Sequence, residues 1–143
     1  MRGARQSRSY RPLEVKLPEA YWGALNLVVD TVTPIATSEL RKVLLLFFFH
    51  RYLGGDVPVP DVLETHYQAR SEFPESRGSA RFRISLKVSV RVYEQFQCLQ
   101  QRAGLNKTEI MKTVVYAALL NTVLIPDDRV LRELAALSFA LDC

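Results

Sequence analysis

Polar and apolar residues alternate without a break between residues 83 and 88. Successive side chains of an extended chain point to opposite faces, so this stretch has one apolar face and one polar face. The apolar face carries Ile84, Leu86 and Val88, and the polar face carries Arg83, Ser85 and Lys87. The alternation predicts a strand that buries one face and keeps hydrogen-bonding groups on the other.

Two helices are predicted directly after this strand. Ser89 is suited to cap the first helix, and Gly104 suits the left-handed position that follows a helix end. Asn106 can cap the second helix, with Glu109 three residues later as in a capping box. The helical spacing of apolar residues continues through both helices, at Val92, Phe96, Leu99 and Ala103 and then at Ile110, Val114 and Ala117.

This order of strand, helix, tight turn and helix resembles the ribbon-helix-helix superfamily of the Arc, MetJ and CopG type. The resemblance covers residues 81–123, and its most specific part is the turn Gly104-Leu105-Asn106-Lys107-Thr108-Glu109-Ile110. It implies that two such units pair their strands into one antiparallel ribbon, which enters the major groove of DNA. An ordinary strand-helix-helix fragment of an α+β domain is the alternative interpretation.

A second copy of the pattern occupies residues 11–53. Its apolar positions are Leu13, Val15 and Leu17 in the strand, then Tyr21, Leu25, Val28 and Val32, then Leu44 and Phe47. Thr33-Pro34 stands in place of the turn glycine, and Ala36-Thr37 in place of Asn106-Lys107, so this copy lacks one cap and one cation. Thr37 or Ser38 can still cap the second helix. A generic amphipathic helical hairpin is the alternative interpretation.

The sequence therefore predicts a mostly α-helical fold with a two-stranded antiparallel ribbon, a tandem ribbon-helix-helix pseudo-dimer in a single chain. The predicted organisation is a basic arm (1–10), a first repeat (11–53), a linker (54–80), a second repeat (81–123) and a C-terminal helix (124–143). Glycines and prolines indicate the linker, with at most a helical turn at residues 61–64. The tandem arrangement is similar to that of accessory DNA-binding proteins that act in conjugation and in T-DNA transfer.

Charge is distributed unevenly along these segments. Residues 1–53 hold eight basic and four acidic side chains, and residues 81–123 hold seven and two, whereas the linker and the tail are acidic. Because affinity for nucleic acid comes largely from counterions released off phosphates, positive charge on both repeats favours a DNA-binding protein. A modest basic excess is also typical of an ordinary solvated surface.

Other classes of function find little support in the sequence. The longest apolar run, residues 43–49, is far shorter than the roughly twenty residues that cross a bilayer. It is expected to be core, with a partner-binding surface as the alternative. Cys98 and Cys143 are too few for a disulfide scaffold and lie in no metal-ligand spacing, so a reducing cytoplasm is expected. Cys98 is expected to be packed beside a helix stripe. His50 and His66 have no ligand-spaced neighbours, so neither a metal, a cofactor nor a catalytic residue is predicted.

The resemblance implies specific roles for the polar residues. Base-reading residues are Arg83, Ser85 and Lys87 from the second strand and Glu14 and Lys16 from the first. Phosphate-binding residues are Asn106, Lys107 and Thr108 from the second repeat and Thr37 and Ser38 from the first. Because the two strands differ, the two halves are expected to read different sequences.

The expected function is sequence-specific binding of double-stranded DNA by a monomer that acts as an intramolecular pseudo-dimer and has no membrane partner. An accessory role in DNA transfer, transcriptional repression or plasmid partition is open, with a relaxase, a partition protein or a toxin as partner. The alternative is a protein-interaction adaptor or antitoxin-like module that does not read DNA. No enzymatic activity is expected.

Overall fold

The computed structural model describes residues 10–32, 38–53, 57–74, 80–122 and 129–130. Its elements are β1 (Tyr10–Pro18), α1 (Glu19–Val32), α2 (Ser38–Leu53), α3 (Val59–Glu72), β2 (Arg81–Ser89), α4 (Val90–Ala103) and α5 (Lys107–Leu120). The prediction of a mostly helical fold with a two-stranded antiparallel sheet is confirmed. The predicted basic arm, apart from Tyr10, and the predicted C-terminal helix, apart from residues 129–130, lie outside the described residues; residues 129–130 are helical.

β1 and β2 pair with each other along their whole length, and we call this pair the ribbon. Its register places Glu14 opposite Ser85, Lys16 opposite Arg83 and Pro12 opposite Lys87. The side chains that alternate with these are buried against the helices: Leu13, Val15, Leu17, Ile84, Leu86 and Val88. The period of two in the sequence thus becomes one covered face and one solvent-facing face.

The boundaries of α4 and α5 follow local signals that the sequence analysis identified. Ser89 Oγ accepts a hydrogen bond from the N–H of Val92 at 3.1 Å, which caps the start of α4. Gly104 ends α4 in the left-handed conformation, at φ 70° and ψ 28°, where a residue with a Cβ is disfavoured. The predicted capping box at the start of α5 is also present.

α3 is the main departure from the prediction, which assigned residues 54–80 to a linker with at most a helical turn. The structure has a helix of 14 residues there. Pro58 occupies its N-cap position and Pro60 its first turn, where the N–H that proline lacks would have no helical partner. Val62, His66 and Ala69 form its buried stripe. The prolines that indicated a loop therefore begin a helix.

α5 lies at the centre of the core. It packs against α1, α2, α3 and β1, and all nine residues from 110 to 118 are buried. The predicted stripe of α4 is buried as well. In α2, residues 43–46 and 48 are buried, which confirms the expectation that this apolar run is core. Within the described residues, no helix has both the length and the apolar character needed to span a membrane.

The expectation that Cys98 is packed was wrong, because its side chain is exposed. The buried stripe of α4 passes through Phe96, Leu99 and Ala103. Cys98 falls beside that stripe on the outward-facing surface with Gln97 and Gln101, which are also exposed. Adjacency in sequence to a stripe residue does not put a helical side chain in the core.

Two glycines provide a test of the backbone at the end of α4. Gly104→Ala should lower the free energy of unfolding by about 1–2 kcal/mol, because the left-handed conformation is strained for a residue with a Cβ. Gly23 lies within α1, and a Cβ added there would meet nothing within 4 Å. Gly23→Ala should therefore raise stability by about 0.5–1 kcal/mol. Urea unfolding followed by circular dichroism measures both changes; equal effects at the two positions would contradict the assignment.

Candidate nucleic-acid interface

The outer face of the ribbon carries the polar residues of both strands. All five predicted base-reading residues are exposed there: Glu14, Lys16, Arg83, Ser85 and Lys87. Arg81 is exposed on the same face of β2, so four basic side chains accompany one carboxylate. A two-stranded ribbon is narrow enough to enter the major groove, where base pairs present distinct donor and acceptor patterns. The structure brings the five predicted residues together on a single surface.

Glu14 lies near the middle of this surface and interacts with two residues of β2. Its Oε1 is 3.6 Å from Arg83 Nε, and its Oε2 accepts a hydrogen bond from Ser85 Oγ at 3.5 Å. The side chains of Arg83 and Glu14 are 63% and 47% exposed, so their ion pair contributes at most about 1 kcal/mol to stability. Arg83 is therefore oriented by Glu14 and remains accessible to a ligand.

The start of α5, in the second predicted repeat, offers free backbone N–H donors. Asn106 Oδ1 accepts a hydrogen bond from the N–H of Glu109 at 2.8 Å, and Glu109 Oε1 accepts one from the N–H of Asn106 at 2.9 Å. These two bonds leave the N–H groups of Lys107 and Thr108 as the open donors at this helix end. Lys107 is exposed and Thr108 is half-buried. Positive helix-dipole charge, open N–H groups and an ammonium thus coincide at a site that suits a phosphate.

The equivalent site in the first repeat is described only in part. Thr37 lies outside the described residues, and the structure describes the backbone of Ser38, at the first position of α2, without its side chain. The predicted phosphate contacts of these two residues therefore stay predictions.

Two basic residues that the sequence analysis did not select lie close to the ribbon. Arg41 and Lys42 of α2 border a surface cavity of about 250 Å³, together with Arg83 and Ser85 of the ribbon. Arg41 Nε donates a hydrogen bond to Asn26 Oδ1 at 2.6 Å, and the guanidinium lies 5.3 Å from the centre of the Trp22 ring. Arg41 and Lys42 are adjacent basic residues near the start of α2, and that pairing is the sequence signal that could have identified them.

A histidine of α3 lies close to the start of α5. Glu109 Oε2 lies 3.7 Å from Nε2 of His66, whose side chain is buried. Burial lowers the pKa of His66; the Glu109 carboxylate acts to raise it, and Arg70 and Lys112 act to lower it. Sequence analysis missed this contact because the histidine lay in a predicted linker, although it continues the stripe of Val62 and Ala69.

The lowered pKa of His66 predicts how stability depends on pH. Because the unfolded chain binds the His66 proton more readily than the folded chain, stability should fall as pH decreases from 7 through 6.5, the ordinary pKa of histidine. A single proton contributes at most about 1.4 kcal/mol per pH unit. His66→Leu should flatten this decrease between pH 7 and pH 5.5 in urea unfolding experiments.

His50→Gln is the control, since it replaces the other histidine at an exposed position of α2. Identical pH profiles for His66→Leu and the unmodified chain would contradict the assignment.

Comparison with known proteins adds no independent assignment. Among the described residues, no group of three or more His, Cys, Asp or Glu side chains is placed to hold a metal ion. No protein-family model, curated protein or solved structure matches this chain. Function is therefore inferred from the ribbon, the start of α5 and the residues around them.

Proposed function

We propose that this chain is a non-enzymatic protein that binds double-stranded DNA sequence-specifically and reads the major groove with the β1–β2 ribbon. The observation that carries the proposal is the division of the ribbon into a buried apolar face and an exposed face with Lys16, Arg83, Ser85 and Lys87. A surface of this width and charge matches what the groove of B-DNA admits. Affinity would come mainly from phosphate contacts and specificity from the ribbon.

The packing of the helices supports a tandem ribbon-helix-helix pseudo-dimer. α5 of the second repeat packs on α1 and α2 of the first, and α4 of the second contacts α2 and β1. Each repeat thus covers its apolar surface with helices of the other, as two chains do in an intertwined dimer. The third helix, α3, lies between the two repeats in the sequence and packs against α4 and α5 of the second.

The ribbon register predicts an asymmetric DNA target. Lys16 lies opposite Arg83, and Pro12 lies opposite Lys87, so the two halves present different donors. Arg83 and Lys87 are suited to O6 and N7 of guanine, and Glu14 is suited to accept from N4 of cytosine. A homodimer with identical strands favours a palindrome, whereas this chain should favour an imperfect or non-palindromic site.

Phosphates on the two sides of the ribbon would be held differently. In the second repeat the N–H groups of Lys107 and Thr108 and the Lys107 ammonium form the contact, with the Asn106 amide beside them. In the first repeat Arg41 and Lys42 supply positive charge close to the ribbon. These cations compensate for the cap and the lysine that the first repeat lacks.

Three cytoplasmic roles fit such a protein: an accessory in DNA transfer acting with a relaxase, a transcriptional repressor, or a plasmid-partition protein. We favour DNA binding over the adaptor or antitoxin-like alternative for one structural reason. The described apolar residues of α2 are mostly buried in the core, so the helix that would have formed the main adaptor surface is already covered.

Base-reading and phosphate-binding roles predict different effects of mutation. Lys87→Ala should weaken binding to the specific site by about 1–3 kcal/mol and leave binding to a scrambled duplex nearly unchanged. Lys107→Ala and Lys42→Ala should weaken binding to both duplexes alike and should each reduce the slope of log K against log salt by about 1. Fluorescence anisotropy on a duplex selected from random sequences and on its scrambled form measures these effects.

Lys107→Arg is the matched control, because it keeps the positive charge at the start of α5 and should retain general binding. Salt-independent affinity of the unmodified chain, or a loss of specific binding in Lys107→Ala alone, would contradict the assigned roles.

A further inference from the structure

Arg83 and Glu14 lie side by side on the outer face of the ribbon, although they belong to different strands. Ser85 is the register partner of Glu14, and Arg83 lies two positions before Ser85 on β2. Arg83 and Glu14 are therefore diagonal neighbours, a relation in which long side chains reach each other. Arg83 Nε is 3.6 Å from Glu14 Oε1. The ribbon thus presents a group of donors and a group of acceptors next to each other.

The contacts of this pair hold the carboxylate and leave the end of the guanidinium available. Glu14 Oε2 accepts a hydrogen bond from Ser85 Oγ at 3.5 Å, so each carboxylate oxygen has a neighbour on β2. The contact with Glu14 uses Nε of Arg83, whereas Nη1 and Nη2 carry most of the N–H donors of a guanidinium. The side chain of Arg83 is also well exposed. Arg83 can therefore donate two hydrogen bonds to a ligand while its Nε stays beside Glu14.

This arrangement matches the major-groove edge of a G·C base pair. Guanine presents two acceptors there, N7 and O6, and cytosine presents a donor, its N4 amino group. O6 and N4 are joined by a Watson–Crick hydrogen bond and so lie about 3 Å apart. The separation between Arg83 Nε and Glu14 Oε1 is close to that spacing. A guanidinium and a carboxylate this close together can each reach one base of the same pair.

The other base pairs fit the two side chains less well. Adenine presents one acceptor and one donor, and thymine presents an acceptor oxygen and a methyl group, so the Glu14 carboxylate would meet no donor on thymine. A C·G pair carries the matching groups in the reverse order, which places the cytosine amino group opposite Arg83. Polar groups left unpaired in a closed contact cost affinity. The two side chains together therefore distinguish both the identity and the orientation of a base pair.

Glu14 also opposes general affinity for DNA. Among the described residues it is the single acidic side chain on the outer face of the ribbon, where basic residues predominate. Its charge repels phosphates, and this repulsion is offset only where the carboxylate accepts a hydrogen bond from a base. Glu14 thus lowers binding to mismatched sequences, which is one of the two ways in which a protein becomes specific.

We propose that Arg83 and Glu14 act as one unit that reads a single oriented G·C base pair near the middle of the ribbon. The Nη groups of Arg83 donate to N7 and O6 of guanine, and Glu14 accepts from N4 of the cytosine paired with it. Ser85 is a positioning residue, because its hydroxyl holds the second carboxylate oxygen. Entry of the ribbon into the major groove, as in the proposed function, is the precondition for this contact.

Inversion of single base pairs tests the shared contact. Each G·C pair of a duplex selected by the unmodified chain is replaced in turn by C·G, and fluorescence anisotropy measures the affinity. At one pair, inversion should weaken binding of the unmodified chain at least about tenfold. Arg83→Ala and Glu14→Ala should each lose most of this penalty, and both should lose it at the same pair. Loss of the penalty at different pairs, or in only one variant, would overturn the proposal.

Modified bases test the individual hydrogen bonds at that pair. N4-methylcytosine blocks the N–H on the groove side and should weaken the unmodified chain at least about fivefold, whereas Glu14→Ala should not respond. 7-Deazaguanine lacks the N7 acceptor and should weaken the unmodified chain at least about threefold, whereas Arg83→Ala should not respond. An unmodified chain that tolerates N4-methylcytosine would reject the contact with Glu14.

A scrambled duplex tests the repulsion, and Glu94→Ala is the matched control. Glu94 is exposed on α4 rather than on the ribbon, and its replacement changes the net charge by the same amount. Glu14→Ala should bind the scrambled duplex at least about twofold more tightly than the unmodified chain, and Glu94→Ala should keep the full inversion penalty. A Glu94→Ala variant that loses the penalty, or unchanged scrambled binding by Glu14→Ala, would contradict the assigned role of Glu14.

The same measurements separate this contact from the proposed function. Failure of the unmodified chain to bind any duplex would reject the proposed function together with the shared contact. Sequence-specific binding that tolerates inversion of every G·C pair would reject the shared contact alone.

Discussion

The backbone pairing of β1 with β2 is the interaction on which the rest of the structure depends. A two-stranded sheet has little stability of its own and needs an apolar face covered by other elements. Here α5 and α4 provide that cover, and both contact β1. Because side chains alternate with a period of two, a slip of one residue would expose Leu86 and bury Lys87. The register that fills the core therefore also determines which polar groups the ribbon presents to solvent.

β1 and β2 share the same alternation of buried and exposed residues, whereas α2 and α5 differ in their surroundings. α5 begins with a capping box, and α3 packs against it, with His66 close to the capping carboxylate. The start of α2 lies next to a described basic pair, Arg41 and Lys42, which borders the ribbon. In the proposed function, this difference matches a DNA site whose halves differ.

Sequence reasoning succeeded where the signal is local and failed where it depends on packing. The alternation of β2, the left-handed Gly104 and the Asn106–Glu109 capping box are each determined by a few neighbouring residues, and the structure has all three. α3 was missed because Pro58 and Pro60 are loop signals in most contexts and helix-starting residues in this one. The burial of Lys112 and the approach of Arg41 to the ribbon result from contacts between distant elements, which composition and spacing do not encode. The exposed polar face of the ribbon followed from alternation alone, whereas the surface cavity beside α2 required the tertiary arrangement.

Intermolecular NMR contacts between the protein and a bound duplex show which surface of the protein meets the DNA. DNA binding through the ribbon predicts nuclear Overhauser effects from Arg83, Ser85 and Lys87 to major-groove protons, such as cytosine H5 and the thymine methyl group. It also predicts that the exposed surface of α4 gives no such contacts. A complex in which DNA protons contact the helices while the outer face of the ribbon stays in solvent would contradict the account.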